Sequence, residues 1–251
     1  MKEILNCAMD IGEGMLTSGA EVHRVEDCMN RVCRAYGAVR VDAFIITSSM
    51  VVTVVDALGE SHTQTRRIAT LGTDFYKLDK LNALSRKICT EKPTAKEIQE
   101  ELSGIKKGKS YPEWVLFLAY AAIAGAFTLF FGGTPMQALF AFFIGAGVRL
   151  FSLLSEKTVK NTILSKLLGA FFVTLSAFVL VRVGWVGSSD EIIIGNVMLL
   201  VSGIGFTNAL RDLFTGDSVT GILRLLEAVL TAIALAAGYF LAVFLTGGAA
   251  L

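Results

Sequence analysis

The stretch WVLFLAYAAIAGAFTLFF, residues 114–131, carries no charged side chain. A helix of about 20 predominantly apolar residues spans the ~30 Å hydrocarbon core of a bilayer. Four further apolar stretches follow, at 135–154, 167–186, 192–210 and 225–246, with Arg149, Arg182 and Glu227 their only charged side chains. One such segment could be the buried helix of a soluble core, but five in succession argue for a membrane bundle. The expected fold class is therefore an α-helical integral membrane protein with about five transmembrane helices, preceded by a small α+β cytoplasmic domain.

Composition agrees. Hydrophobic residues make up 53% of the chain, and the mean hydropathy is +0.61. Most charges precede Tyr111, so a boundary belongs near Ser110. Residues 1–110 are expected to form the cytoplasmic domain and 111–251 the transmembrane domain. A net charge of +1 argues against a nucleic-acid surface. The four cysteines, Cys7, Cys28, Cys33 and Cys89, form no CxxC and read as reduced thiols packed as small hydrophobes. The N-terminus lacks an uninterrupted apolar core, so no secretory signal is expected.

In the first domain, Ile4, Ala8, Ile11 and Met15 recur at helical spacing. Ser18 with Glu21 three residues later has the pattern of a capping box for a second helix. Its stripe is Val22, Val25, Met29, Val32 and Tyr36, and Gly37 is placed to end it. Residues 41–47, 50–56 and 61–68 read as strands. Helical spacing returns from Leu71 to Ile88. Pro93 ends that helix, and Thr94 with Glu97 caps a shorter one. The order α-α-β-β-β-α-α is that of an α+β domain.

Orientation follows from cations near the span ends. Lys106, Lys107 and Lys109 precede the first span. Arg149, Lys157, Lys160 and Lys166 surround the second loop, and Arg211 follows the fourth span. Asp190 and Glu191 occupy the third loop, where Arg182 is the dissenting cation. The first domain and the second and fourth loops are expected to be cytoplasmic and the C-terminus outside. Gly203-Ile204-Gly205 either loosens the fourth helix or permits close packing.

The densest polar cluster lies between the last two spans: Asn208, Arg211, Asp212, Asp217, Arg224 and Glu227. Ionisable groups at membrane depth are costly and point to function, although arginines at an interface can also snorkel and pair with aspartates. Arg224 and Glu227 are three residues apart on a helix and could pair. A second group, Glu21, His23, Arg24, Glu26 and Asp27, reads more simply as the wet face of a helix than as acid–base machinery. His62 reads as a surface residue. No GxxxxGK[ST] is present, and Gly12-Glu13-Gly14 lacks the third glycine of a dinucleotide fingerprint. No cofactor or metal site is expected.

Three blocks stand out along the chain. The first is Gly12–Asp27, reading GEGMLTSGAEVHRVED. The second is Arg66-Arg67-Ile68 with Gly72-Thr73-Asp74 and Leu81–Arg86. The third is Thr207–Asp212 with Gly216-Asp217 and Gly221–Ala228. Together and in this order they resemble the threonine/serine exporter family. Ser202 stands where the family often has proline. The resemblance implies a secondary exporter driven by the proton gradient. It implies that a second, smaller membrane subunit supplies the other half of the transporter, as in the split form associated with succinate. It leaves homo-oligomerisation open. The implied substrates, threonine and serine or a succinate-like dicarboxylate, share a carboxylate, for which Arg211 or Arg224 offers a planar donor. Asp212, Asp217 or Glu227 could carry protons if burial raised its pKa. Glu21, Arg24 and Glu26 belong to the first-domain motif. The rival functions are a membrane-anchored hydrolase and a sensor or scaffold acting through the first domain.

Overall fold

The computed structural model describes residues 1–108, 111–159 and 161–247, without the side chains of Glu156 and Lys157. The expected boundary residue Ser110 and the loop cations Lys109 and Lys160 lie outside the described residues, as does the Lys157 side chain. Two compact units are present: Met1–Lys109 with Ile204–Leu225, and Ser110–Gly203 with Leu226–Leu251.

The first unit begins with helices α1 (Lys2–Thr17) and α2 (Val22–Ala35). The strands β1 (Arg40–Ile46), β2 (Ser49–Val55) and β3 (Ser61–Arg67) form an antiparallel sheet in the order β1-β2-β3. Register runs from Arg40↔Val55 to Ile46↔Ser49 and from Ser49↔Arg67 to Val55↔Ser61. Because side chains alternate across a sheet, Met50, Val52 and Val54 of β2 all face one core with Val41 and Ile45 of β1. Against that core lie Leu5, Met9, Ile11 and Met15 of α1 and Val25, Met29 and Val32 of α2. Helices α3 (Phe75–Glu91) and α4 (Ala95–Lys106) add Leu81, Ile88 and Ile98. The order α-α-β-β-β-α-α is the one expected. Gly37 has φ +90° and closes α2 as its position suggests. Thr94 and Glu97 make the reciprocal capping box of α4.

Two local expectations need correction. Ser18 does not cap α2. It follows α1, and the N-cap of α2 is Glu21, without a side-chain cap bond. The reason is Gly19, whose φ of +97° turns the chain away before a box can form. Helix α3 starts at Phe75, after Asp74 accepts a bond from the Lys77 amide, so Leu71 lies before the helix. The Gly12-Glu13-Gly14 motif is a packing device. A Cβ at Gly12 would lie 2.8 Å from Met50 Cε and 2.9 Å from Met29 Sδ, and one at Gly14 would lie 2.9 Å from Leu81 Cδ1. Burial pushes the Cys28 thiol up to about 11 and the Cys33 thiol up to about 12. Both therefore stay protonated at neutral pH, as inert core residues.

The second unit contains α5 (Glu113–Phe130), α6 (Pro135–Thr158), α7 (Thr162–Arg182) and α8 (Asp190–Val197). Helix α9 (Gly203–Thr215) and the first residues of α10 (Ser218–Leu245) belong mostly to the first unit, and the rest of α10 to the second. Among the described residues four helices are long and apolar enough to cross a membrane: α5, α6, α7 and α10. The stretch 192–210, expected as one span, is interrupted between Val197 and Gly203. Glycines Gly203 and Gly205 lie just inside α9, so the break precedes them.

The unit has two ends. At one, Arg149 of α6 pairs with Glu113 at the start of α5, and Lys166 near the start of α7 donates to the carbonyl of Leu200. At the other, Gln137 donates to the Ser188 carbonyl and to Glu191. Helix α8 begins at this second end, and the chain reaches the first at Leu200. Close approach along the way requires glycine. A Cβ at Gly195 would meet the Thr128 amide nitrogen at 2.8 Å and the Ala124 carbonyl oxygen at 2.9 Å. Those are backbone atoms and cannot rotate away. Gly195→Ala is thus expected to lower the thermal midpoint of the purified protein by several degrees, on the scale of ~1–3 kcal/mol for an overpacked site. Gly104→Ala, with nothing near its Cβ, should leave it unchanged or raise it. Equal midpoints would refute the packing argument.

Candidate functional site

Residues Thr17–Glu21 join α1 to α2, and within the first unit every one of them accepts a hydrogen bond from another segment. The Gly72 amide donates to the Thr17 carbonyl and the Asp74 amide to the Ser18 carbonyl, both at 3.0 Å. Asn208 Nδ2 donates to the Gly19 carbonyl at 3.3 Å. Arg224 Nη2 donates to the Ala20 carbonyl at 3.2 Å. Arg211 pairs with the carboxylate of Glu21. Three stretches far apart in sequence, 17–21, 72–74 and 208–224, therefore meet at one turn. The turn needs Gly19: its φ is positive, and a Cβ there would lie 3.2 Å from the Gly72 carbonyl oxygen.

Behind this turn lies a buried ion pair. Arg224 Nη1 contacts Asp212 Oδ2 at 2.9 Å, with side chains only 8% and 1% exposed. Arg224 is thereby held by one carboxylate oxygen and one backbone carbonyl, while Asp212 Oδ1 is buried without a hydrogen-bond partner among the described residues. Burial pushes the Asp212 carboxyl above its ordinary value. The Arg224 charge and the nearby Val22 amide oppose that shift, and Asp217 and Glu21 add to it. Glu26 is also raised, first by burial and then by the neighbouring charge of Asp217. Asp217 is placed by its amide, which donates to the Asp212 carbonyl at 2.9 Å, and by Gly216 with φ +100° just before it.

Seven of the residues singled out in the sequence thus converge: Glu21, Glu26, Asn208, Arg211, Asp212, Asp217 and Arg224. Two do not. Arg24 is exposed on α2 and Glu227 is exposed on α10, and neither makes an ion pair among the described residues. Arg224 and Glu227, which helical spacing would let face each other, do not pair among the described residues, because Arg224 turns toward Asp212, where both charges leave solvent together. Arg66 is a further residue with a definite role. It pairs with Asp10 and Glu13 and clamps β3 to α1. Its signal was the Arg66-Arg67 motif. His62 is only half-exposed and lies 3.3 Å from Asp56. With the exposed Glu60 these two partly buried groups lie close enough to meet one cation, but the Asp56–His62 contact and the turn amides that donate to Asp56 already account for the arrangement.

Long apolar helices joined to a small α+β fold, with ionisable groups gathered from both halves of the sequence, define a multi-span membrane protein. Residues 6–246 match the family model described as "Putative threonine/serine exporter", and the chain belongs to that family. It is 25% identical to the threonine/serine exporter of Corynebacterium glutamicum over 97% of its own length and 51% of that protein's. It is 26% identical to the "Probable succinate transporter subunit YjjP" of Klebsiella aerogenes, over 93% and 90% of the two chains. The protein of the same name in Escherichia coli is 23% identical over 98% and 96%. The chain therefore spans about half of the first relative and nearly all of the other two. No solved structure matches.

The buried pair has two measurable consequences. Arg224→Gln or Asp212→Asn alone is expected to destabilise the protein by about 3–5 kcal/mol, because each strands the other charge. The double variant should recover most of that loss. Arg211→Ala, at an exposed pair, should cost ~0–1 kcal/mol. Denaturant unfolding of the full chain in detergent distinguishes these outcomes.

The second consequence is a pH dependence. In Arg224→Gln the opposing charge is gone, so the folded state holds the Asp212 proton more tightly than the unfolded chain does. Its stability relative to the double variant should then rise as pH falls through the folded pKa, levelling near the ordinary carboxylate range of ~4. A flat difference would contradict a raised Asp212 pKa.

Proposed function

We propose that this chain is one subunit of a proton-coupled secondary exporter of small carboxylate metabolites, threonine and serine or a succinate-like dicarboxylate, in the bacterial inner membrane. The observation that carries this reading is the Asp212–Arg224 pair. A carboxyl buried against an arginine, with one oxygen unpartnered and its pKa raised, suits a group that gains and loses a proton during a transport cycle. Membership of an exporter family supplies the transport setting.

The coupling role falls to Asp212, Asp217 and Arg224, with Asn208, Arg211, Glu21 and Glu26 fixing the surrounding turn. Both arginines are already engaged, Arg211 by Glu21 and Arg224 by Asp212 and the Ala20 carbonyl. This favours coupling over direct capture of substrate. Protonating Asp212 would release Arg224 and loosen the hold of α10 on the turn. Arg24 and Glu227 are left with interfacial roles.

Five crossings with the first domain in the cytoplasm fit this scheme. The cation-bearing end of the second unit holds Arg149 and Lys166, and the other end holds Asp190 and Glu191, which supports placing the former inside. Helix α8 and the residues after it run from the acidic end to Leu200, so the interrupted stretch serves as the fourth crossing. Broken helices of this kind are used at transporter sites. A second subunit is supported by the two relatives that match nearly end to end, each described as a transporter subunit.

Reconstitution tests the scheme. The chain alone in liposomes should give no pH-gradient-driven flux of serine, threonine or succinate, and flux should appear on adding the second subunit. Flux without it would overturn the subunit assignment. The Asp212→Asn/Arg224→Gln double variant should lose gradient-driven flux at least tenfold while keeping substrate exchange. Cysteine placed at Ser61 should be labelled only after cells are permeabilised, and cysteine at Gly187 from outside. Outside labelling of Ser61 would reverse the topology.

A further inference from the structure

The second unit contains a cavity of about 310 Å3 at its cation-bearing end, walled by α5, α6, α7 and the interruption after α8. Tyr120, Arg149, Ser152, Thr162, Lys166 and Leu200 line it. Two of these side chains are cations, and among the described residues none of the lining is a carboxylate. Arg149 is only 13% exposed. One terminal nitrogen donates to Glu113 at 2.9 Å, outside the lining, and Glu113 is itself 57% exposed. The guanidinium carbon lies 5.7 Å from the centre of the Tyr120 ring. Arg149 Nε is buried and donates to nothing among the described residues. Lys166 is half-buried and donates to the Leu200 carbonyl, which leaves ammonium hydrogens for another acceptor.

Two cations line one cavity in an apolar helical bundle, and one buried guanidinium N–H lacks an acceptor among the described residues, which is unfavourable in a low-dielectric setting. An anion with two or more acceptor oxygens relieves both. We propose that the cavity binds the carboxylate of the transported metabolite between Arg149 and Lys166, with the hydroxyls of Ser152 and Thr162 facing the rest of the molecule. The assignment rests on the carboxylate-export reading above and gives that reading a substrate site separate from the Asp212–Arg224 pair. The cavity holds a four-carbon acid with accompanying water. Lys166 gives the site its link to the helix interruption, because the ammonium that meets the carboxylate also holds the Leu200 carbonyl. A carboxylate on the remaining ammonium hydrogens therefore bears on the same side chain that fixes the interrupted segment.

The test uses the full chain reconstituted with its second subunit, carrying Ser152→Cys. Alkylation of that cysteine by a maleimide is followed with succinate, L-threonine, or their neutral amides present. The transported acid should slow alkylation at least fivefold and its amide should not. Adding Arg149→Lys, which keeps the charge but not the planar donor edge, should abolish this protection and lower flux at least tenfold, in protein that stays monodisperse. Lys87→Gln, in the first unit, should change neither. Retained flux of an acid with no protection, and with Arg149→Lys transporting like Lys87→Gln, would overturn the site and leave the export function standing. If no acid is transported and none protects, the export function falls and the site falls with it.

Discussion

Every carbonyl from Thr17 to Ala20 is an acceptor in search of a donor, and the first unit is organised around supplying them. A backbone carbonyl at the joint between two helices cannot be left dry and unpaired without a penalty of the same order as a lost hydrogen bond. Here the donors come from two backbone amides, at Gly72 and Asp74, and from two side chains, of Asn208 and Arg224. The consequence is topological. Residues nearly two hundred positions downstream complete a turn near the N-terminus, so α9 and the start of α10 are structural parts of the α+β unit. That is why the compact unit takes in Ile204–Leu225.

The Asp212–Arg224 pair is poor evidence for stability taken by itself. Removing two charges from water costs several kcal/mol per ion, and the attraction between them repays this only with good geometry and full hydrogen bonding. The geometry is good at 2.9 Å, but one aspartate oxygen is unpaired. A well-packed leucine and methionine could fill the same volume at no net loss. Under the coupling role proposed above, the pair is a device with two states. When both are charged, Arg224 is shared between Asp212 and the Ala20 carbonyl. With Asp212 neutral, the attraction that offset burial of the guanidinium is gone, and Arg224 gains a reason to leave.

Much of this was legible in the sequence, because it rested on period and composition. The four long apolar helices, the three strands and the Thr94–Glu97 capping box all follow from local rules that tertiary contacts did not override. The residues of the candidate site were legible as types, since Arg211, Asp212, Asp217 and Arg224 are charged beside apolar spans. Their partners were not. Arg224 could be matched with Glu227 by helical spacing alone, whereas its actual partner Asp212 lies across the turn between α9 and α10. Ser18 and Glu21 had the spacing of a capping box, but the positive φ of Gly19 decides the geometry and sequence spacing does not encode it. The interruption after Val197 was legible only in part: Gly203-Ile204-Gly205 offered a loosened helix as one of two readings, but downstream of the actual break. Met198–Val201 is as apolar as a continuous helix would be, so hydropathy passes smoothly across a break that only the hydrogen bonding reveals.

That break also explains why a lysine is tolerated among apolar helices. Where a helix stops inside a bundle, its last carbonyls lose their intrahelical donors. Leu200 is such a residue, and Lys166 supplies the donor from the neighbouring helix. The lysine in turn needs somewhere to place its charge, and the carbonyl satisfies only part of that need. Each feature thus offsets part of the other, and the cavity beside them is lined by Arg149 and Lys166 next to a segment of turns. A continuous helix from Asp190 to Thr215 would remove the need for Lys166, and an apolar residue at 166 would leave the broken segment without its donor. The two features are therefore linked through one hydrogen bond, from Lys166 to the Leu200 carbonyl.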